Sequence, residues 1–257
     1  MHQIYLSLLS SRLTIVPIPP NVTHILDIGT GTGEWAINMA ETYQSAEIIG
    51  TDISAIQPKA VPSNVYFEID DAQLDWEFSH QFDFIHIRGL AGAFDDWSTV
   101  YAQAFKFLKP GGYIEIIDHG PSVVPGLLQS PTVVALREAF QVACAVSGRP
   151  FNTDHLNPSI LEAVGFTEVT TVENKMLLGG NVPPTDGSND WKQKFGLVSF
   201  LESVESSVLR PLTRTAGWAV EDVKEAIETS KQQLAVLANQ PEGGYTPVYF
   251  VVAKKPL

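Results

Sequence analysis

The sequence predicts an α/β fold, a mostly parallel sheet covered by helices on both faces. Three observations carry that reading. Apolar runs of strand length alternate with stretches of helical period from His24 to His119. The first run, His24–Ile28, enters the turn Gly29-Thr-Gly-Thr-Gly33, and helical pattern starts directly after it. Acidic residues then stand at the ends of the first three runs, at Asp27, Asp52 and Asp70-Asp71.

Each element has a local cause. His24–Ile28 is short, apolar and closed by a turn, as expected of a strand buried on both faces. Gly29, Gly31 and Gly33 let the backbone turn sharply and approach a ligand with no Cβ in the way. Glu34–Tyr43 follows as a helix, and Glu47–Asp52 and Val65–Ile69 as the second and third strands. Phe82–Ile87 is the fourth, running into Arg88. A helix from Trp97 to Leu108 has Asp95 or Asp96 as N-cap and Lys109-Pro-Gly-Gly112 as its stop. Tyr113–Asp118 is a fifth strand, Pro131–Val146 a long helix and Ser159–Val164 a short one. Phe166–Val172 and Tyr249–Lys254 complete a set of seven strands. Between those two lie the turn-rich run Gly179–Gly187, the apolar patch Phe195–Phe200 and an amphipathic helix. That helix aligns Val220, Val223, Ile227, Leu234 and Leu237 on one face. The expected organisation is an N-terminal cap segment at 1–20, a ligand-binding core at 21–174, a mostly helical lid insertion at 175–245 and the final core strand at 246–257.

Bulk properties narrow the partners. The 257 residues carry a net charge of −13, and the only basic run is Lys254-Lys255, which argues against a nucleic-acid substrate. Cys144 is the sole cysteine, so no intramolecular disulfide forms, and its place on one helix face marks a buried thiol. The segment Met1–Leu9 has no basic leader region and no membrane-spanning length. A soluble intracellular protein is expected, cytoplasmic with nuclear residence also open, and with its oligomeric state, a homodimer included, undetermined.

In an open parallel sheet the ligand sits beyond the carboxyl ends of the strands, where strand order reverses. A dinucleotide fingerprint would need glycine at position 34, where the chain has Glu34. The glycine turn therefore departs from the dinucleotide pattern. Asp27 orients the turn or reaches an ammonium group. Asp52, 25 residues further on, can accept both ribose hydroxyls. Asp71 can accept an adenine amino group beside Ala72, whose small side chain leaves room for the ring, and Ile53 can lie on the other face.

These motifs together resemble the class I S-adenosylmethionine (SAM) methyltransferases. The resemblance rests on Asp27-Ile-Gly-Thr-Gly-Thr-Gly33, Gly50-Thr-Asp52, Glu68–Ala72, Phe82–Arg88 and Leu108–Glu115. Trp35 after the turn and Ile56-Gln57-Pro58 after the second strand are similar, more narrowly, to the LaeA-like group of fungal secondary metabolism. Ala163–Phe166, Leu212–Trp218 and Tyr249–Pro256 extend the likeness over most of the chain. It implies a Rossmann-like seven-stranded sheet and a SAM site built from Asp27, Gly29, Thr30, Gly31, Gly33, Asp52, Ile53, Asp71, Ala72 and Arg88, with S-adenosylhomocysteine as product. Three differences from the group fall on the acceptor side. His2 stands at the start of the chain where the group has a Gln-His pair after a longer segment, Gly243-Gly-Tyr245 replaces a His-Ala-Tyr sequence, and Pro183-Pro184 runs where a Gly-x-Trp is usual.

Methylation at oxygen requires a base, because the acceptor loses its proton. His119, after the fifth strand, is the foremost candidate, with His2 the alternative if the N-terminal segment folds over the site. Arg88 can hold the cofactor carboxylate or an acceptor oxygen, or pair with Glu115 or Asp118. His86 reads as a core histidine, His155 and His80 as loop residues and His24 as the start of a strand. No His, Asp or Glu spacing points to a metal site. The expected reaction is O-methylation of a small secondary metabolite. A cyclisation or rearrangement on the same fold, and a non-catalytic regulator, are the alternatives.

Overall fold

A computed structural model describes residues 2–179, 191–241 and 243–257. Its strands are β1 (His24–Ile28), β2 (Glu47–Asp52), β3 (Val65–Ile69), β4 (Phe82–Arg88), β5 (Leu108–His119), β6 (Thr167–Leu177) and β7 (Tyr245–Lys254). They form one sheet in the order β3-β2-β1-β4-β5-β7-β6. The first five run parallel, while β7 is antiparallel to both of its neighbours. Strand order therefore reverses between β1 and β4, where open sheets of this kind place their ligand crevice, at the carboxyl ends.

The helices are α1 (His2–Leu8), α2 (Glu34–Thr42), α3 (Trp97–Phe107), α4 (Pro131–Val146), α5 (Pro158–Val164), α6 (Trp191–Arg214) and α7 (Val220–Ala238). Both faces of β1 are covered, which explains its unbroken apolar run. Ile25 meets Trp35, Ala36 and Met39 of α2 on one face, and Leu26 joins Val100, Tyr101 and Ala104 of α3 on the other. Asp96, rather than Asp95, caps α3 by accepting from Ser98 N. Ser130 and Asn157 cap α4 and α5 in the same way.

Several boundaries differ from the sequence expectation, most of all those of the last three strands. Strand β5 begins at Leu108, because Leu108 pairs with Phe82 while Gly111 and Gly112 exchange backbone hydrogen bonds with Lys255. Lys109-Pro-Gly-Gly112 thus ends α3 one residue early and enters the sheet. Strands β6 and β7 extend to Leu177 and back to Tyr245, since they pair with each other along this whole stretch. The β6 side chains are mostly exposed, so no apolar alternation announced the added length. The insertion accordingly covers 178–244.

The expected amphipathic helix is α7, with Val223, Ile227 and Leu234 buried. Leu237 is half-buried, and Val220, in the first turn, is exposed. The patch Phe195–Phe200 lies in the first turns of α6, a helix the sequence reading did not delimit. Of the turn-rich run at 179–187, only Gly179 lies within the described residues, and Pro183-Pro184 lie outside them. Ile4, Tyr5 and Leu9 share an apolar cluster with Leu178, Leu197, Leu234 and Phe250. The N-terminal segment and the insertion are thereby packed together against β5 and β7.

Candidate active site

The turn after β1 is built by three left-handed glycines, with φ of 66° at Gly29, 58° at Gly31 and 78° at Gly33. They serve different ends. A Cβ on Gly29 would strike Leu90, and one on Gly33 would come within 2.3 Å of the Phe67 ring. One on Gly31 would meet nothing within 4 Å, so this backbone faces open space. Gly89, after β4, likewise has φ of 70° and no neighbour at its Cβ position. Ligand approach is thus free on either side of the β1–β4 switch point.

Asp27 is buried beneath the turn. One oxygen accepts from the Thr30 hydroxyl at 2.6 Å and the other lies 2.8 Å from His86 Nδ1. Its carboxylate therefore orients the turn instead of projecting into the crevice. Asp52 accepts from Gly31 N at 2.8 Å and from Ser54 N at 2.9 Å, leaving each oxygen a further lone pair. Gln57 donates to Gly31 O at 2.8 Å and locks the same turn from the other side. Ile53 is 69% exposed after β2, and Asp71 accepts from Gln73 N beside the buried Ala72.

A second group gathers at the ends of β4 and β5. Helix α1 places His2 and Tyr5 three residues apart on its inner face. The Tyr5 hydroxyl lies 3.0 Å from His119 Nε2, and Arg88 covers the Tyr5 ring at 4.5 Å. Arg88 Nη2 also lies 3.4 Å from His2 Nδ1, while His2 Nε2 lies 2.7 Å from the Asn38 side chain. Neither expected acidic partner takes Arg88. Asp118 accepts from Ala91 N and His119 N, and Glu115 from the Thr14 hydroxyl and Ile15 N. Burial pushes the Tyr5 hydroxyl pKa upward, so it stays protonated and shares a hydrogen bond with His119 Nε2. Burial lowers the His119 pKa against the opposing pull of Asp118, with Arg88 lowering it further. His2 falls to about 4, through burial first and Arg88 second. Both imidazoles are neutral at neutral pH.

Beneath the crevice, Asp27, His86 and Glu115 stand side by side on β1, β4 and β5 in register. His86 is fully buried and stacks flat on Trp35, with ring centroids 3.8 Å apart. Its Nε2 and Glu115 Oε2 are 3.9 Å apart and neither has a hydrogen-bond partner. Burial raises Glu115 to about 7, opposed by Ile15 N and the Thr14 hydroxyl. His86 is thus a core histidine satisfied on one nitrogen only. His155 is no loop residue by environment, being buried with Nε2 3.3 Å from Asp118 and stacked on Trp97.

Residues 2–170 match the family described as a methyltransferase domain. The chain belongs to that family. Methyltransferase pytC of Aspergillus terreus is 34% identical over 227 residues, covering 87% of this chain and 69% of that protein. Secondary metabolism regulator LAE1 of Cochliobolus heterostrophus is 29% identical over 269 residues, covering 99% and 85%. Among solved structures, a Haemonchus contortus phosphoethanolamine N-methyltransferase with S-adenosylhomocysteine superposes with a TM-score of 0.57 at 21% identity. It covers 99% of this chain, which spans only 52% of the length of that enzyme, so the likeness is one of fold.

This is a SAM-dependent methyltransferase domain, and SAM is its cofactor. The crevice fits that molecule. Gly31 offers backbone unobstructed by any side chain, Asp52 keeps lone pairs for hydroxyl donors, and Ile53 offers exposed apolar surface for a ring. Among the described residues no helix is long and apolar enough to cross a membrane. Sequence reasoning missed Tyr5, Asn38 and Gly89, and gave Gln57 no role. The i, i+3 spacing of His2 and Tyr5 was a usable signal. Asn38 and Gly89 had none without the fold.

Proposed function

We propose that this methyltransferase domain transfers the SAM methyl group to an oxygen of a small secondary metabolite. The observation that carries the reading is the Tyr5–His119 hydrogen bond, at the end of the strand beside the cofactor crevice. When bound, SAM supplies an activated methyl group on a sulfonium, leaving the protein to align the acceptor and remove its proton. In the proposed mechanism the Tyr5 oxygen accepts the acceptor's proton while its own passes to His119 Nε2. The nearby Asp118 carboxylate stabilises the imidazolium so formed. Arg88 and His2 line the acceptor side, and the N-terminal segment with the 178–244 insertion excludes water. Asp52 holds the ribose hydroxyls, Gly31 admits the amino-acid portion, and Asp71, Ala72 and Ile53 frame the adenine. Asp27 and Thr30 act by shaping the turn.

The name of the A. terreus relative supports methyl transfer, and that of the C. heterostrophus relative supports a setting in secondary metabolism. Calorimetric titration with SAM and S-adenosylhomocysteine, followed by incubation with hydroxylated aromatic metabolites, tests the reading. One methylene of added mass with stoichiometric S-adenosylhomocysteine is expected. Absence of cofactor binding at millimolar concentration would overturn it. The match to a regulator over nearly the whole chain favours a second reading, protein-partnered regulation. A stable heteromeric complex on pull-down, combined with no turnover of any acceptor, would select it.

A further inference from the structure

The opposite edge of the sheet holds a second constellation, independent of the cofactor crevice. His24 and Glu47 are the first residues of β1 and β2 and lie in register. His80, from the loop before β4, packs against His24 with ring centroids 4.1 Å apart and ring planes tilted by 33°. One ring nitrogen from each histidine and one Glu47 oxygen lie within 4.8 Å of one another. Their sequence spacing is irregular, and only strand register and the loop bring them together.

Hydrogen bonding selects the free atoms. The Thr23 hydroxyl donates its single proton to Asp83 Oδ2 at 2.9 Å. It accepts from Lys109 Nζ at 2.6 Å and, in the tautomer protonated at His24 Nδ1, from that nitrogen at 2.9 Å, which leaves His24 Nε2 with its lone pair. His80 Nδ1 faces the Ser79 hydroxyl, and His80 Nε2 is buried with no hydrogen-bond partner among the described residues. That Nε2 lies 3.7 Å from Glu47 Oε1. Two ligands of one tetrahedral zinc ion stand roughly 3.4 Å apart at ordinary bond lengths, so small side-chain rotations close the set. The nearby Lys109 ammonium is neutralised by Asp83 at 2.8 Å. Imidazoles held at Nδ1 by an outer partner are the usual form of metal-ligating histidines.

We propose that His24, His80 and Glu47 bind a divalent transition-metal ion, best matched by Zn2+, with a water in the fourth position. The N2O donor set suits borderline metals and not Mg2+ or Ca2+. Lying at the amino ends of the strands, the ion would tie β1, β2 and the β3–β4 connection together, stabilising the fold by binding linkage.

The test is titration of the tag-free full chain with ZnCl2, followed by calorimetry and by the histidine ring carbon–proton spectrum. One Zn2+ per chain is expected, with His24 and His80 resonances shifting and those of His2, His86, His119 and His155 unmoved. H24Q, H80Q and E47Q should each weaken binding at least ~10-fold, and Thr23→Val, which frees His24 Nδ1, by about 10-fold. Binding of equal strength in all variants, or shifts confined to other histidines, would overturn the site. So would a lack of any Zn2+-induced shift at His24 and His80 in the wild-type spectrum, which requires no variant to fold.

Discussion

His86 Nδ1 lies 2.8 Å from Asp27 Oδ1 across neighbouring strands, with both side chains out of water. Asp27 also holds the Thr30 hydroxyl, so one carboxylate joins the sheet interior to the glycine turn. Asp27→Asn leaves one of these two donors facing an amide N–H. The expected loss is about 1–3 kcal/mol of stability, measured by urea unfolding, together with weaker SAM binding. Unchanged stability would show that the turn does not depend on this pair.

Glu115 makes stability depend on pH in a direction opposite to that of an ordinary surface carboxylate. Its pKa in the folded protein is about 7, above its ordinary 4.5. Its contribution is therefore fully present below pH 4.5 and lost as pH rises through 7. Glu115→Gln keeps an acceptor for Thr14 and Ile15 and offers a donor to His86 Nε2. The variant should be more stable than wild type at pH 8, by on the order of 1–3 kcal/mol, with the difference vanishing near pH 4. Parallel melting curves at both pH values check this.

The three glycines of the turn should respond differently to a methyl group. Gly33→Ala combines a left-handed φ with a Cβ 2.3 Å from Phe67, and should cost about 3 kcal/mol of stability or more. Gly31→Ala meets no atom and should cost only about 1 kcal/mol of backbone strain, while weakening cofactor binding at least ~10-fold. Chemical unfolding and calorimetry on both variants separate the two effects.

Asp52→Ala should weaken SAM and S-adenosylhomocysteine alike by about 10- to 100-fold, the loss of charge-assisted hydrogen bonds to two hydroxyls. Asp52→Asn, which keeps an acceptor for Gly31 N, should lie between the two. Equal affinity in all three proteins would remove Asp52 from the ribose site.

The proposed proton relay from Tyr5 to His119 carries a pH signature. The His119 pKa lies below the usual histidine value, so its neutral form persists through pH 7 and activity should fall only on the acid side. Tyr5→Phe keeps the ring under Arg88 but removes the hydroxyl. It should lower kcat by about 10- to 100-fold with little change in KM for SAM. An unaltered pH–rate profile in His119→Gln would exclude the relay.

Much of the layout of the candidate cofactor site was legible in the chain, because strand ends, glycine turns and terminal acids are local features. The run from Ile25 to Trp35, and the acids at 52 and 71, already lie in the order that a parallel sheet delivers to one edge. Side-chain direction was not legible. Asp27 faces Thr30 and His86 because β4 lies in register beside β1, and no local pattern states which strands become neighbours. The full lengths of β6 and β7 were hidden for the same reason, since their added residues are held by each other's backbone and not by apolar alternation.

By itself, then, the sequence determined an α/β sheet with a glycine-turn ligand site, through periodicity, glycine conformation and the placement of acids. The tertiary structure alone decided that Tyr5 meets His119 and that His24, Glu47 and His80 converge. Those contacts join residues far apart in the chain, and their distances are set by strand order and helix packing, which local sequence does not encode.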